Sequence, residues 1–316
     1  MANEHIKLSV ITLMYNTGRE VIETIQSVHD EGYPGTVHEV FDDCSTDDSF
    51  ELVSAFIKKN NIPCILHRNA ENRGINENKK KALNVVKGEL ILGLSDDLLY
   101  PGRIQKDVAI YEGLSNSERE RIFAFFGPVE MFDGDSGKTL GVLDPLPEYS
   151  DVTIIPNSQM ALLLLKNNVI PAISVTMIKS NVDQVEKPKG FFIEDYPLWV
   201  NAVLEGFDFL YRPYTATKYR QSEKSVQITR KQEVTRDKFE CKKRLLQHDA
   251  VSFDIGRKEL WRTVFNDALA FNGSTWRKNV IHLIRTEAHW MNAVDGFYLF
   301  LKRFWRSHFV TKHATR

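Results

Sequence analysis

Cysteine is scarce. Cys44, Cys64 and Cys241 are the only three in 316 residues, and no two form a CxxC pair. That argues against a disulfide framework and a structural zinc site, and it suits a reducing compartment. Long apolar runs are missing too, and no uncharged stretch is long enough to cross a bilayer. The N-terminal MANEHIKLSVITLMYN has neither an extended apolar region nor a small-residue cleavage signal. The sequence therefore predicts no secretion peptide and a soluble protein, at most attached to a surface. Charge of one sign is not in excess, because 41 basic residues face 42 acidic ones, so no global field favours nucleic acid as a partner.

Several motifs are absent as well. There is no GxxxxGK[ST] loop and no GxGxxG after the first strand-like run, which argues against a P-loop and a dinucleotide fold. The nine histidines show no HExxH or similar ligand spacing. Neither GxSxG nor a Ser-His-Asp order appears.

What remains is an alternation of two periodicities. LSVITLMY (8–15) is β-rich, and the stretch to Gly32 carries Val21, Ile22, Ile25 and Val28 at helical spacing. VHEVFDD (37–43) reads as a second strand, and STDDSFELVSAFIKKNN (45–61) as a helix capped by Ser45 or Thr46. IPCILHRN (62–69) is a third strand, INENKKKALNVVKG (75–88) a helix, and ELILGLSDD (89–97) a fourth strand. This order predicts an α/β fold: a doubly wound, mainly parallel sheet with helices on both faces. Ligands bind such sheets beyond the carboxyl ends of the strands. Three of those ends carry polar residues: Tyr15-Asn16, Asp42-Asp43 and Asp96-Asp97.

Farther on, 122–141 reads as strand, turn and strand, and MALLLLKNNVIPAISVTMIKS as a helix followed by a strand. FFIEDYPLWVNAVLEGFDFLYRP (191–213) opens on acids and continues as a helix. Beyond residue 226 the chain reads as mostly helical and charged. No internal repeat or low-complexity linker divides it, so the parts are expected to pack as one body.

Each acidic pair has two readings. Asp96-Asp97 is either a solvated turn before Pro101-Gly102 or a pair serving a ribose hydroxyl and a divalent metal. Asp42-Asp43 precedes a helix cap, but a cap uses one oxygen and leaves two acids unexplained; a buried carboxylate there could accept from a uracil imide. Glu194-Asp195 is either favoured by the macrodipole of a first helical turn, or Asp195 is a general base between aromatic walls.

Taken together, LSVITLMYN, VFDDCSTDDS, ENRGINENKKKALNVVKGELILGLSDDLLYP and FFIEDYPLWVNAVLEGFDFLYRPYTATKYRQSEKSV resemble family 2 glycosyltransferases with the GT-A fold, in order and over about residues 7–228. The bacterial transferases that build surface polysaccharides such as O-antigen and capsule are of this kind. The resemblance implies inverting, metal-dependent transfer of a sugar from a nucleotide sugar, UDP-linked, to a hydroxyl of a glycan or lipid-linked saccharide. By motif, Tyr15, Asp42 and Asp43 would line the base pocket, and Arg73 and Gly74 would approach the nucleotide. Asp96 would hold the ribose, and Asp97 would coordinate Mn²⁺ or Mg²⁺ on the diphosphate. Asp195 matches the catalytic base, Glu194 flanks the acceptor site, and Arg220 matches a position near the diphosphate.

Three positions depart from the family pattern. Leu94 stands where a further acid is common, Cys44 replaces a usual glycine, and Ser222 replaces a histidine.

The resulting division is 1–100 for the nucleotide-sugar half, 101–228 for the acceptor half and 229–316 for a C-terminal helical extension. The stretch 289–316 combines bulky aromatics with Lys302, Arg303, Arg306, Lys312 and Arg316. It reads either as a basic amphipathic helix at a lipid interface or as a helix docked on the core with a cationic outer face. A cytoplasmic protein is expected, on the first reading at the inner face of the cytoplasmic membrane. A sugar nucleotidyltransferase would need a Gly-rich basic loop after the first strand, of which YNTGRE is a poor version. A non-catalytic carbohydrate-binding protein on the same fold would have no need of Asp97 and Asp195 together.

Overall fold

Runs of β-branched residues and leucine become strands because each is flanked by helices able to cover it. The computed structural model describes residues 6–221 and 230–252. Its first seven elements are β1 (Leu8–Met14), α1 (Gly18–Asp30), β2 (Thr36–Asp42), α2 (Ser49–Asn60), β3 (Cys64–Arg68), α3 (Ile75–Val85) and β4 (Leu90–Leu94). Val21, Ile25 and Val28 point α1 into the core. The chain then turns at Gly32, whose φ of +62° favours glycine. Along β1 all but one residue is buried, as expected for a parallel strand covered on both faces.

Two boundaries differ from the sequence expectation. The second helix starts at Ser49, and neither Ser45 nor Thr46 caps it. Ser45 instead gives its hydroxyl to Asp42 at 2.5 Å, because a carboxylate with no exposed surface needs donors. The fourth strand stops at Leu94, and a bend carries Ser95 and Asp96. Strand alternation therefore no longer separates Asp96 from Asp97.

The chain continues through β5 (Leu98–Leu99), α4 (Arg103–Gly113), α5 (Asn116–Arg121), β6 (Ile122–Phe126), β7 (Val129–Asp133), β8 (Thr139–Leu143), β9 (Thr153–Ile155) and α6 (Asn157–Lys166). Then come β10 (Thr176–Ile178), α7 (Lys179–Gln184), α8 (Tyr196–Leu204), β11 (Asp208–Tyr211), β12 (Thr217–Gln221) and α9 (Lys231–Leu245). The large sheet runs β3-β2-β1-β4-β10-β6-β11-β9, and a smaller one β5-β12-β7-β8. Pairing is parallel from β3 to β4 and between β6 and β11. β10 sits antiparallel between β4 and β6. An aromatic cluster of Phe123, Phe126, Trp199, Phe209 and Tyr211 packs α8 onto β6 and β11, which fixes where the start of α8 can lie.

Residues 1–237 and 238–316 form two compact units, the second described as far as residue 252. The stretch 289–316 lies outside the described residues. Among those described, no helix is long and apolar enough to cross a membrane.

The segment behind the Asp96-Asp97 bend is held by long-range polar contacts. Glu31 accepts from the N–H groups of Gly102 at 2.7 Å and Ile104 at 2.8 Å, so a carboxylate from the end of α1 caps α4. Within α4, the fully buried Arg103 donates to the carbonyls of Ile173 and Ser174 at 3.0 and 2.8 Å and also reaches Thr217 on β12. Asp107 lies between two buried guanidiniums, with Arg103 at 3.4 Å and Arg212 at 3.2 Å. It also accepts from Thr176 and Tyr214. Burial, then the like charge of Arg212, lowers the Arg103 pKa to about 10. Removing the intervening anion leaves both cations uncompensated. Asp107→Asn is therefore expected to lower the unfolding free energy by about 3–5 kcal/mol, measured by urea titration.

Candidate active site

The polar strand ends expected from the sequence converge at one edge of the large sheet. After β1, Asn16 adopts φ +56°, a region that asparagine tolerates. Its amide N–H donates to Ser45 Oγ at 3.0 Å, and its side-chain oxygen accepts from the Thr46 N–H at 2.9 Å. Tyr15, beside it, leaves 44 % of its surface exposed. The β1 and β2 ends are thereby tied together.

Asp42 and Asp43 have different surroundings. Asp42 turns inward, where it accepts from the Ser45 N–H at 3.1 Å and approaches Arg68 at 3.4 Å. Asp43 faces the next loop. It accepts from Asn69 Nδ2 at 2.8 Å, the Arg73 N–H at 3.0 Å and the Gly74 N–H at 2.7 Å. Gly74 has φ +81°, a conformation that brings its amide to the carboxylate without a Cβ penalty. The Arg73 side chain stays largely exposed beside Glu71.

Asp96 and Asp97 share Arg220. The Arg220 backbone N–H donates to Asp97 Oδ1 at 3.0 Å, and its Nε donates to the Asp96 carbonyl at 2.8 Å. Asp97 is only 2 % exposed. Burial, reinforced by the charge on Asp96, pushes its carboxyl well above the usual range. Asp96 is raised as well, mainly by burial. The far end of the Arg220 guanidinium reaches Glu23 at 2.6 Å, and the group lies 4.9 Å over the Phe132 ring.

Asp195 precedes α8 at its N-cap position. Its Oδ2 accepts from Asn168 Nδ2 at 3.0 Å. Burial and then Glu194 raise its pKa, while Lys79, the Tyr196 N–H and Asn168 oppose the rise. Lys79 is 3.7 Å from Glu194 and 5.8 Å from the centre of the Trp199 ring.

Tyr219 precedes Arg220 on β12. Burial, then the negative fields of Asp97 and Asp195, push its hydroxyl to about 12. One phenol thus feels carboxylates from the ends of two segments far apart in sequence. Alternation along β12 turns Tyr219 and Arg220 to opposite faces, a signal readable from YRQ. Asn168 and Lys79 left no comparable trace, since they reach Asp195 and Glu194 respectively only through tertiary packing.

Among the described residues, no cluster of three or more His, Cys, Asp and Glu could hold an ion by itself. Asp97 nonetheless fits one vertex of a divalent site. It is a hard oxygen donor, with Oδ1 accepting from the Arg220 amide. Its neighbouring negative charge favours a dication, and the rest of the shell would come from ligand oxygens and water.

Residues 9–112 match the family model for glycosyl transferase family 2. The chain is 26% identical over 211 residues to the putative teichuronic acid biosynthesis glycosyltransferase TuaG of Bacillus subtilis, across 66% of this chain and 76% of that one. It is 25% identical over 232 residues to the Escherichia coli UDP-Glc:alpha-D-GlcNAc-diphosphoundecaprenol beta-1,3-glucosyltransferase WfaP, across 72% and 83% of the two chains. Among solved structures, S. aureus TarS 1-349 in complex with UDP-GlcNAc shares the fold, with a TM-score of 0.62 at 16% identity over 84% of this chain and 73% of that chain.

Cys44 occupies φ +60° in the loop after Asp43, where a Cβ meets the following carbonyl. Cys44→Gly removes that clash at some cost in unfolded-chain entropy. The net expectation is a gain of about 0.5–1 kcal/mol in unfolding free energy by denaturant titration.

Proposed function

From a chain whose residues 9–112 are a glycosyl transferase family 2 segment, we propose an inverting transferase that moves a sugar from a UDP-linked donor to a hydroxyl of a glycan or lipid-linked saccharide. The family match over residues 9–112, which contains both Asp43 and Asp97, carries this reading. Asp97, held just past the end of β4 by the Arg220 amide, is a carboxylate suited to a metal–diphosphate, and Asp195, at the N-cap of α8, is one suited to proton removal. Two relatives support the donor and pathway class: one is a UDP-Glc:alpha-D-GlcNAc-diphosphoundecaprenol glucosyltransferase, and the other a putative teichuronic acid biosynthesis glycosyltransferase.

In this reading Tyr15, Asp43, Arg73 and Gly74 surround the base, and Asp96 meets the ribose. Asp42 supports the pocket from behind through Ser45 and Arg68. Arg220 holds the Asp96-Asp97 bend in place through its amide and Nε, rather than reaching the diphosphate with its guanidinium. Asp97 would hold Mn²⁺ or Mg²⁺, which when bound supplies charge stabilisation for the departing diphosphate.

Asp195 takes the proton of the acceptor hydroxyl as that oxygen bonds to the anomeric carbon. The bond from that carbon to the donor phosphate oxygen breaks, and the nucleoside diphosphate leaves with the electron pair. A single in-line displacement inverts the carbon. Burial and Glu194 suit Asp195 to this role by making it more basic than an exposed aspartate. Glu194, paired with Lys79, borders the acceptor. The division at about residues 100 and 228 follows the same logic, with donor contacts before it and acceptor contacts after.

The direct test is release of nucleoside diphosphate from a panel of nucleotide sugars, with Mn²⁺, Mg²⁺ or a chelator, alongside Asp195→Asn. That variant is expected to bind UDP as the wild type does and to lose about 10²–10⁴-fold in transfer. Wild-type turnover in Asp195→Asn would remove the residue from the base role.

The pH dependence has a definite sign. Asp195 must be deprotonated to act, so the acid limb of kcat/KM is expected above the ordinary carboxylate range. Lys79 lowers the Asp195 pKa, so Lys79→Met should move that limb to still higher pH in the pH–rate profile.

A further inference from the structure

The segment that delivers Asp195 has no regular structure of its own: residues 191–195 lie in neither helix nor strand. Side chains from two distant positions meet its backbone instead. Asn76 Nδ2 donates to the carbonyls of Phe191 at 2.5 Å and Ile193 at 3.2 Å. From the other side, Asp237 Oδ2 accepts from the N–H of Phe192 and, at 2.9 Å, from that of Ile193. Asp237 is 1 % exposed, and Arg236 balances its charge at 2.8 Å. The Arg230 guanidinium lies 4.8 Å over the Phe192 ring.

Both clamps have a meaning beyond packing. Asn76 lies in the first turn of α3, two residues past Gly74, whose N–H is bound to Asp43. It therefore connects the loop assigned to the nucleotide with the segment assigned to the base. Asp237 lies on α9, well past the family match at 9–112. It spends its buried charge on two amides that would otherwise lack acceptors, an arrangement costly to desolvate and therefore geometrically demanding.

We propose that Asn76 and Asp237 are positioning residues for Asp195, gripping residues 191–195 from opposite sides so that the base stands at the acceptor hydroxyl. The proposal rests on the reading of Asp195 as the base. Neither residue touches substrate. Each acts through the backbone that sets the Asp195 carboxylate, and a base displaced by about 1 Å can lose on the order of 10²-fold in rate.

The test uses the full chain with Asn76→Ala, Asp237→Asn, Asp237→Glu and Asp195→Asn, each checked by thermal melting. Transfer kinetics and UDP calorimetry are read on every folded variant. Asn76→Ala and Asp237→Asn are expected to lower kcat roughly ten- to hundredfold while leaving UDP affinity unchanged. Asp237→Glu, which keeps the anionic acceptor, should recover part of that loss. A folded Asn76→Ala with wild-type kcat overturns the proposal, as does a fall in kcat matched by an equal fall in UDP affinity. Should Asp237→Asn fail to fold, Asn76→Ala decides alone, because its half-buried side chain can be shortened without opening the core. Wild-type activity in Asp195→Asn would sink the base assignment itself. An inactive Asp195→Asn beside fully active clamp variants would sink the clamp only.

Discussion

Carboxylates withdrawn from water repel one another, and that unrelieved repulsion is the constraint on which the rest of the structure depends. Asp97 is buried next to Asp96, and Asp195 is half-buried next to Glu194. Neither pair is neutralised by a close ion pair to its inner member. Arg220 offers Asp97 a backbone amide while sending its guanidinium to Glu23. Lys79 sits against Glu194 instead of Asp195. A protein optimised only for stability would have closed these contacts. The carboxyls of Asp97 and Asp195 accordingly sit above the ordinary range.

The scaffold tolerates this strain because its own charges are placed with more care. Glu31 satisfies the start of α4 from another helix. Asp107 is shared between two guanidiniums, a tyrosine and a threonine. Asp42, with no exposed surface, is given Ser45 and Arg68. In each case the buried anion has donors enough to hold it. Asp43 is supplied in the same way, by Asn69 and the Arg73 and Gly74 amides.

Much of this was legible in the residues. Alternating periodicities placed the first four strands and three helices, and polar strand ends marked the edge where the acids gather. Asp43, Asp96 and Asp97 stand there because a strand's carboxyl end must deliver its next residues to that edge. The helix start at Ser49 was misplaced because local capping rules do not register a buried carboxylate three residues upstream that outcompetes the helix for Ser45. Tyr219 was readable from strand alternation, but its partners were not. Asn168, Lys79, Asn76 and Asp237 meet residues 191–195 only after the chain has folded back on itself, and no spacing in the sequence encodes those meetings.

The antiparallel strand β10 has a consequence for how such a protein can change over time. It joins the nucleotide-side strands to β6 through three partners on one side and two on the other. β6 and β9 precede this narrow seam in the chain, yet both pair with β11, which follows it. A chain exchanged at Thr176–Ile178 would therefore part β11 from both of its partners, and the strands on either side of β10 must change together.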